Sequence, residues 1–322
     1  MSHKKTFFVT GASGFVGAAL VERLASNADC QVLALVRRDD VVLPLGATRV
    51  RVGEDYLASE DLPLTGVDVL VHCAARVHVM SDASNDPYSA YRRINVEGTL
   101  RLAEQAARSG VKRFIFISSI KVNGEGTRPG EAYTADDPPA PASPYGVSKM
   151  EAEQQLQLLA QRTGMEVVII RPVLVYGPDV RANFRSMMVW LNKGIALPLG
   201  AIRSQRSLVA LDNLVDLIVT CLQHPAAANQ VFLVSDGEDM STTELLTRIG
   251  LALHKPARLI PVPAALLRWG MFLIGRRGMG QRLCGSLQVD IQKTRELLGW
   301  TPPTSVTVAL RKTAEHFQGS LK

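Results

Sequence analysis

Cysteine is scarce and unpaired: Cys30, Cys73, Cys221 and Cys284 are the only four, and no two form a C-x-x-C pair. That usage argues against a disulfide framework or a thiol redox motif and fits reduced, mostly buried thiols in a cytoplasm. The six histidines include no H-x-x-x-H pair, so no metal is expected. Long apolar runs are missing too. Ala264 to Gly275 is apolar but carries Arg268; it is short of the ~20 residues that span a bilayer and reads as a packed helix. Near the N-terminus, Phe7-Phe8-Val9 follows Lys4-Lys5 but breaks at Gly11, too soon for the apolar core of a signal peptide. The net charge is +6, yet basic residues never run to five in succession, which argues against a nucleic-acid surface. No internal repeat or low-complexity tract is visible.

What is present is ordinary for a globular enzyme: 47% hydrophobic and 20% charged residues over 322 positions, enough for about two domains at ~150 residues each. Short apolar runs predict strands at Thr6–Thr10, Gln31–Val36, Val67–Cys73, Arg113–Ser118, Glu166–Arg171 and Gln230–Val234. Helical patterns lie between them at Phe15–Ala25, Tyr88–Arg108 and Ser148–Arg162. Strands alternating with helices predict right-handed crossovers and a parallel sheet covered on both faces. After Pro172 the texture changes, with prolines punctuating shorter elements.

Between the first strand and helix lies Val9-Thr10-Gly11-Ala12-Ser13-Gly14-Phe15-Val16-Gly17. Glycines allow a tight turn and close backbone approach, and the helix start offers free N–H groups to a pyrophosphate. The spacing is G-x-x-G-x-x-G; its place in a strand–helix series makes Gly11, Ser13, Gly14, Phe15, Val16 and Gly17 the expected dinucleotide contacts. The second strand runs into Arg37-Arg38-Asp39-Asp40. An acid at its end would take the ribose hydroxyl of NAD, whereas Arg37 suits the 2′-phosphate of NADP and can stack on adenine. NADP is therefore favoured, and Asp39 keeps NAD possible. The fold class expected is α/β: a doubly wound parallel Rossmann sheet from residues 1–176 plus 207–236, with a smaller α/β substrate-binding part from 177–206 plus 237–322.

Tyr145 and Lys149 stand four residues apart, on one face of any helix that includes both. A lysine beside a tyrosine disfavours the neutral phenol and should draw its pKa down from ~10. Upstream, Phe114-Ile-Phe-Ile-Ser118-Ser119 ends in hydroxyls where ligands of open α/β sheets bind. These hydroxyls, Tyr145 and Lys149 are thus the expected proton-transfer set: a hydroxyl to hold a carbonyl or alkoxide, a phenol to exchange a proton, and an ammonium to tune the phenol and hold ribose hydroxyls. The proline-rich run 135–144 places Tyr145 at its end.

These residues, with His72-Cys-Ala-Ala75, Asn95-Val-Glu-Gly-Thr99, Arg171-Pro172, Tyr176-Gly-Pro178 and the closing Asp290…Leu-Gly-Trp-Thr-Pro302, resemble the extended short-chain dehydrogenases/reductases, which include nucleotide-sugar epimerases, 4,6-dehydratases and 4-ketoreductases. The resemblance covers nearly the whole chain. It implies that Ser119 is the catalytic hydroxyl, with Tyr145 and Lys149 as its catalytic partners, and that Cys73, Ala74, Ala75, Asn95, Ser118, Tyr145, Lys149, Pro172 and Val175 contact the cofactor. It implies UDP-sugar contacts at Arg76, Lys121, Asn183, Arg206 and Arg282 alongside Ser119 and Tyr145, and a homodimer paired through helices near 88–109 and 145–163. Arginines suit a diphosphate through bidentate hydrogen bonding.

The dehydratases of this family carry Asp-Glu after the catalytic hydroxyl; Ile120-Lys121 stands there instead. Two chemistries remain. A 4-ketoreductase delivers one hydride from NADPH; a 4-epimerase removes and returns a hydride at C4 with a retained NAD. Arg37, Arg76-Val-His-Val-Met80 and Ser118-Ser-Ile-Lys-Val-Asn-Gly124 resemble the reductases that form UDP-N-acetylquinovosamine for surface polysaccharide, so reduction is the first expectation and UDP-glucose or UDP-N-acetylglucosamine 4-epimerisation the alternative. A non-catalytic NADP-binding regulator is disfavoured because Ser119, Tyr145 and Lys149 are all present.

Overall fold

The computed structural model describes residues 4–53, 62–77, 86–273, 280 and 283–321. Seven parallel strands form the central sheet: β1 (Lys5–Thr10), β2 (Cys30–Val36), β3 (Ala47–Arg51), β4 (Val69–His72), β5 (Arg113–Ile117), β6 (Glu166–Pro172) and, later in the chain, β10 (Val231–Val234). Their spatial order is β10-β6-β5-β4-β1-β2-β3, so chain order reverses between β1 and β4. Thr10 pairs with His72, and His72 with Phe116, which aligns the carboxyl ends at this reversal. Ligands of doubly wound sheets bind in the crevice opened there.

Burial on both faces explains the apolar runs. Phe7, Phe8 and Val9 of β1 are all fully buried; Phe7 and Val9 face one core and Phe8 the other. Each buried phenylalanine contributes about 1.5–3 kcal/mol. Helices α1 (Phe15–Ala25) and α6 (Leu211–Gln223) cover the first face. The second is covered by α3 (Thr99–Arg108) and α4 (Pro144–Thr163). β3 escaped the sequence reading because it is a five-residue edge strand with exposed Thr48, Arg49 and Arg51.

A further core gathers α5 (Ala182–Asn192), α7 (Thr242–Ala252) and the helix Val306–Gly319 around Tyr176, Phe184 and Leu246. Short pairs stitch it to the sheet: β7 (Leu174–Tyr176) with β9 (Leu208–Ala210), and β8 (Gln205–Arg206) with β11 (Met240–Ser241). At the seam the Asp236 carboxylate accepts from the Tyr176 hydroxyl at 2.8 Å, the Ala210 amide at 2.8 Å and Asn213 at 2.7 Å. Leu287, Val289, Leu298 and Trp300 return to the first core.

One expectation is corrected. The apolar segment after Pro263 is helical, as α8 (Ala264–Leu273), but it is not packed all round, and none of its residues is buried. Among the described residues no helix is long and apolar enough to cross a membrane.

Candidate active site

The glycine loop leaves β1 through Gly11 at φ +65°, a left-handed conformation that favours glycine. A side chain at Gly11 would meet the Ala74 amide nitrogen at 2.7 Å, and one at Gly17 would meet the Gly11 carbonyl oxygen at 2.2 Å. Both contacts are with backbone, so the loop can lie this close to the β4 exit only without side chains. α1 starts at Gly14 with no side-chain cap and no acid in its first turn. Its first N–H groups and dipole are left to an anion. Ser13 is exposed at this turn, with Phe15 and Val16 half-buried beside it. This cradle fits a pyrophosphate-containing dinucleotide.

Facing the loop, Cys73, Ala74, Ala75 and Arg76 leave β4 half-buried. His72 anchors them from below. Thr10 Oγ1 is 2.6 Å from its Nδ1 and Thr99 Oγ1 is 3.0 Å from its Nε2. Burial pushes the imidazole pKa down to about 3, with Lys149 adding to the fall, so the ring is neutral. Asn95 fixes the next turn: its Oδ1 accepts from the Arg76 amide at 2.8 Å, and its Nδ2 donates to the Arg76 carbonyl at 3.1 Å and to Ser148 Oγ at 3.0 Å. It can do so because residues Arg93–Gly98 form a π-helical turn between α2 (Pro87–Arg92) and α3. The extra residue per turn re-aims a side chain inward, a use common at functional sites.

α4 begins earlier than the expected Ser148. Ser143 caps it, its hydroxyl accepting from the Gly146 amide, and Pro144 occupies the first turn, where its missing N–H costs nothing. Tyr145 thereby sits in the first turn, with Lys149 one turn on. Tyr145 is half-buried and hydrogen-bonded with Ser119. Its ring meets the edge of Tyr91 at 6.1 Å, and the Arg76 guanidinium lies 5.7 Å from the Tyr91 centroid.

The expected effect of Lys149 on the phenol is not what the geometry produces. The Lys149 ammonium donates to the Ile117 carbonyl at 2.8 Å and lies 4.3 Å from the Phe116 ring centroid. Burial instead pushes the Tyr145 pKa up to about 12; the Ser119 hydrogen bond opposes that rise and Tyr91 adds to it. At neutral pH Tyr145 stands as the phenol. Lys149, 2% exposed, is pushed down to about 8, with burial dominant and Glu153 and Cys73 opposing it.

That depression has a stability consequence. The unfolded lysine holds its proton up to ~10.4 while the folded one releases it near 8. The buried charge therefore costs stability below pH 8, and the cost is relieved as pH rises from 8 toward the unfolded value. The shift of about two units or more corresponds to roughly 3 kcal/mol. Lys149→Met is expected to be more stable than the parent at pH 7, with the advantage fading by pH 10; urea titrations at both pH values check it.

Beneath the site lies a buried polar network the sequence reading did not isolate. Glu153, on the same face of α4 as Tyr145 and Lys149, receives the Ser118 hydroxyl and a bidentate guanidinium from Arg171, with Nη2 at 2.6 Å and Nε at 3.0 Å. Both side chains are at most 5% exposed. Arg171 Nη1 also donates to Asn123 Oδ1 at 3.0 Å, and Asn123 Nδ2 to the Thr134 carbonyl at 3.0 Å. Adjacent hydroxyls thus face opposite ways: Ser118 into this network, Ser119 toward Tyr145. An acid eight residues after a motif tyrosine was the available signal for Glu153; nothing in the sequence marked Tyr91.

The remaining expected residues spread outward. Pro172 ends β6 buried and Val175 is half-buried on β7. Lys121 forms an ion pair with Glu125 two residues beyond Ser119, and its amide donates to Ser119 Oγ at 3.2 Å. Arg206, half-buried on β8, donates to the Gly285 carbonyl at 2.9 Å. Asn183 is exposed in the first turn of α5. Arg37 is exposed after β2; close by, the Asp39 carboxylate pairs with Arg51 at 3.1 Å and its carbonyl accepts from Arg49 at 2.7 Å. Arg282 and His78 lie outside the described residues.

Sheet order, glycine cradle and the Ser119–Tyr145–Lys149 cluster at the carboxyl edge define a Rossmann-like dinucleotide-binding α/β protein. The chain belongs to the NAD dependent epimerase/dehydratase family, whose model matches residues 7–235. A UDP-glucose 4-epimerase of Vibrio cholerae is 51% identical over 320 residues, spanning 97% of this chain and 95% of that protein. The fold is shared with UDP-glucose 4-epimerase of Thermotoga maritima, solved with UDP-glucose, at TM-score 0.79 and 23% identity over 98% of this chain and 100% of that one. It is likewise shared with UDP-glucuronic acid 4-epimerase of Bacillus cereus, solved with NAD, at TM-score 0.78 and 22% identity over 97% and 96%.

Proposed function

We propose that the protein is a UDP-sugar 4-epimerase with NAD as resident nucleotide. The observation that carries this reading is the 51% identity, over nearly the whole length of both chains, to a protein named UDP-glucose 4-epimerase. This reverses the order of expectations drawn from the sequence, where the single-hydride reductase stood first. The Gly11–Gly17 cradle and the β4 exit would hold the dinucleotide, which when bound supplies the acceptor and donor of the C4 hydride.

The chain's own residues handle the proton and the oxygen. Ser119 holds the sugar O4 beside the Tyr145 hydroxyl. Tyr145 takes the O4 proton as C4 is oxidised to the ketone and gives it back when C4 is reduced from the other face. The base form is the phenolate, reached when the resting phenol gives its proton to solvent, and the Ser119 hydroxyl stabilises it by donation. Lys149 keeps a positive charge under this pair up to about pH 8. Arg206 and Asn183, with Arg76 and Lys121 nearer the reacting carbon, are the side chains proposed to hold the nucleoside diphosphate and sugar. A second copy pairing through 88–109 and 145–163 belongs to the same reading.

Arg37, exposed at the end of β2, favours a second reading: reduction of a UDP-4-keto-6-deoxy-N-acetylhexosamine with NADPH. Denaturing the purified protein and identifying the released nucleotide separates the two. NAD in near-stoichiometric amount, with interconversion of UDP-glucose and UDP-galactose without added cofactor, is expected. An empty cradle and NADPH oxidation by the 4-keto sugar would replace the epimerase by the reductase.

A further inference from the structure

Helix α8 lies at the border of the core around Tyr176, Phe184 and Leu246. Ala264 and Leu267 pack inward, while Leu266, Trp269 and Leu273 line the opposite face at 57%, 63% and 61% exposure, with Phe272 at 48% beside them. Ile260, 51% exposed, leads into it. A contiguous exposed apolar face of this kind marks an interaction surface, since a soluble helix normally turns polar side chains outward.

Charge says what covers it. From Lys255 to Leu273 the described chain has three basic residues, Lys255, Arg258 and Arg268, all exposed, and no aspartate or glutamate. An isologous contact with a second copy would press like charges together. An anionic lipid surface takes both components: leucines and tryptophan enter the acyl boundary while arginines and lysine meet the phosphates. The ten described residues Ala264–Leu273 span about 15 Å, the scale of a helix lying along an interface. We propose that α8 docks the protein on an anionic phospholipid surface, burying Leu266, Trp269 and Leu273. The chain returning from this region, Leu283–Gly285, accepts hydrogen bonds from Ser204 and Arg206, so the docked face adjoins the half proposed to bind substrate. The inference stands independently of the sugar chemistry.

The test is co-sedimentation of the full-length protein with vesicles of phosphatidylcholine alone or mixed equally with phosphatidylglycerol, at low and high salt. Binding to the anionic vesicles is expected to exceed that to neutral ones by more than about tenfold and to weaken with salt. Trp269→Ser with Leu273→Ser should lose it by a similar factor while leaving turnover of a soluble sugar nucleotide unchanged. Quenching of Trp269 fluorescence by brominated acyl chains would place the helix in the bilayer. No binding, equal binding to both compositions, or full binding by the double variant overturns the proposal. So does self-association in light scattering that the double variant abolishes, or selective capture of an acidic protein without lipid binding; either would make the face a protein interface.

Discussion

Replacing Tyr145 by phenylalanine is expected to lower turnover by about 10²–10⁴-fold, the usual worth of a positioned general acid–base group, and to leave nucleotide binding in place. The substitution removes only the hydroxyl that hydrogen-bonds Ser119. The ring contact with Tyr91 survives, and so do the Ser148 and Asn95 bonds that hold the start of α4. Turnover and nucleotide titration therefore answer different questions: activity within a few-fold of the parent would remove Tyr145 from the chemistry, and loss of nucleotide binding would make its role structural.

Glu153→Gln should cost about 3–5 kcal/mol, because it leaves the Arg171 guanidinium buried without its counter-charge. Against a total of about 5–15 kcal/mol this is severe, and the variant could lose its fold. A paired replacement, Glu153→Leu with Arg171→Met, removes both charges and should recover much of the loss. The functional readout is separate: Glu153 raises the Lys149 pKa against the dominant effect of burial, so its removal should move the Lys149 ionisation below about 8. In a folded Glu153→Gln enzyme, the pH dependence of activity that requires the Lys149 charge should shift toward acid. An unchanged profile with full stability would show that the network supports neither the fold nor the lysine.

Where local chemistry decides the structure, the sequence was readable. Helix α1 runs over Phe15–Ala25 as its pattern predicts, because glycines end β1 abruptly and the apolar period changes there. The central strands were legible because they are buried on both faces. The π-helical turn at Arg93–Gly98 was not: residues 88–108 read as one amphipathic stretch, and periodicity does not record one extra residue in a hydrogen-bond ring. Ser119, Tyr145 and Lys149 converge on one strand end, yet their electrostatics departed from the pairwise expectation. Adjacency on a helix face places Lys149 near Tyr145, but the Ile117 carbonyl and Phe116 ring hold its ammonium elsewhere. Apolar content suggested a packed helix at α8, but it does not distinguish a buried face from an exposed one.

The choice between one hydride transfer and two is tested most directly by isotope. Incubated with UDP-glucose deuterated at C4 and no added nucleotide, the enzyme should form UDP-galactose that retains the deuterium at C4, because the same hydride leaves and returns within one bound nucleotide. Absence of the C4 epimer from both UDP-glucose and UDP-N-acetylglucosamine, or product formed only with added NADPH and carrying its hydrogen, would contradict the epimerase reading.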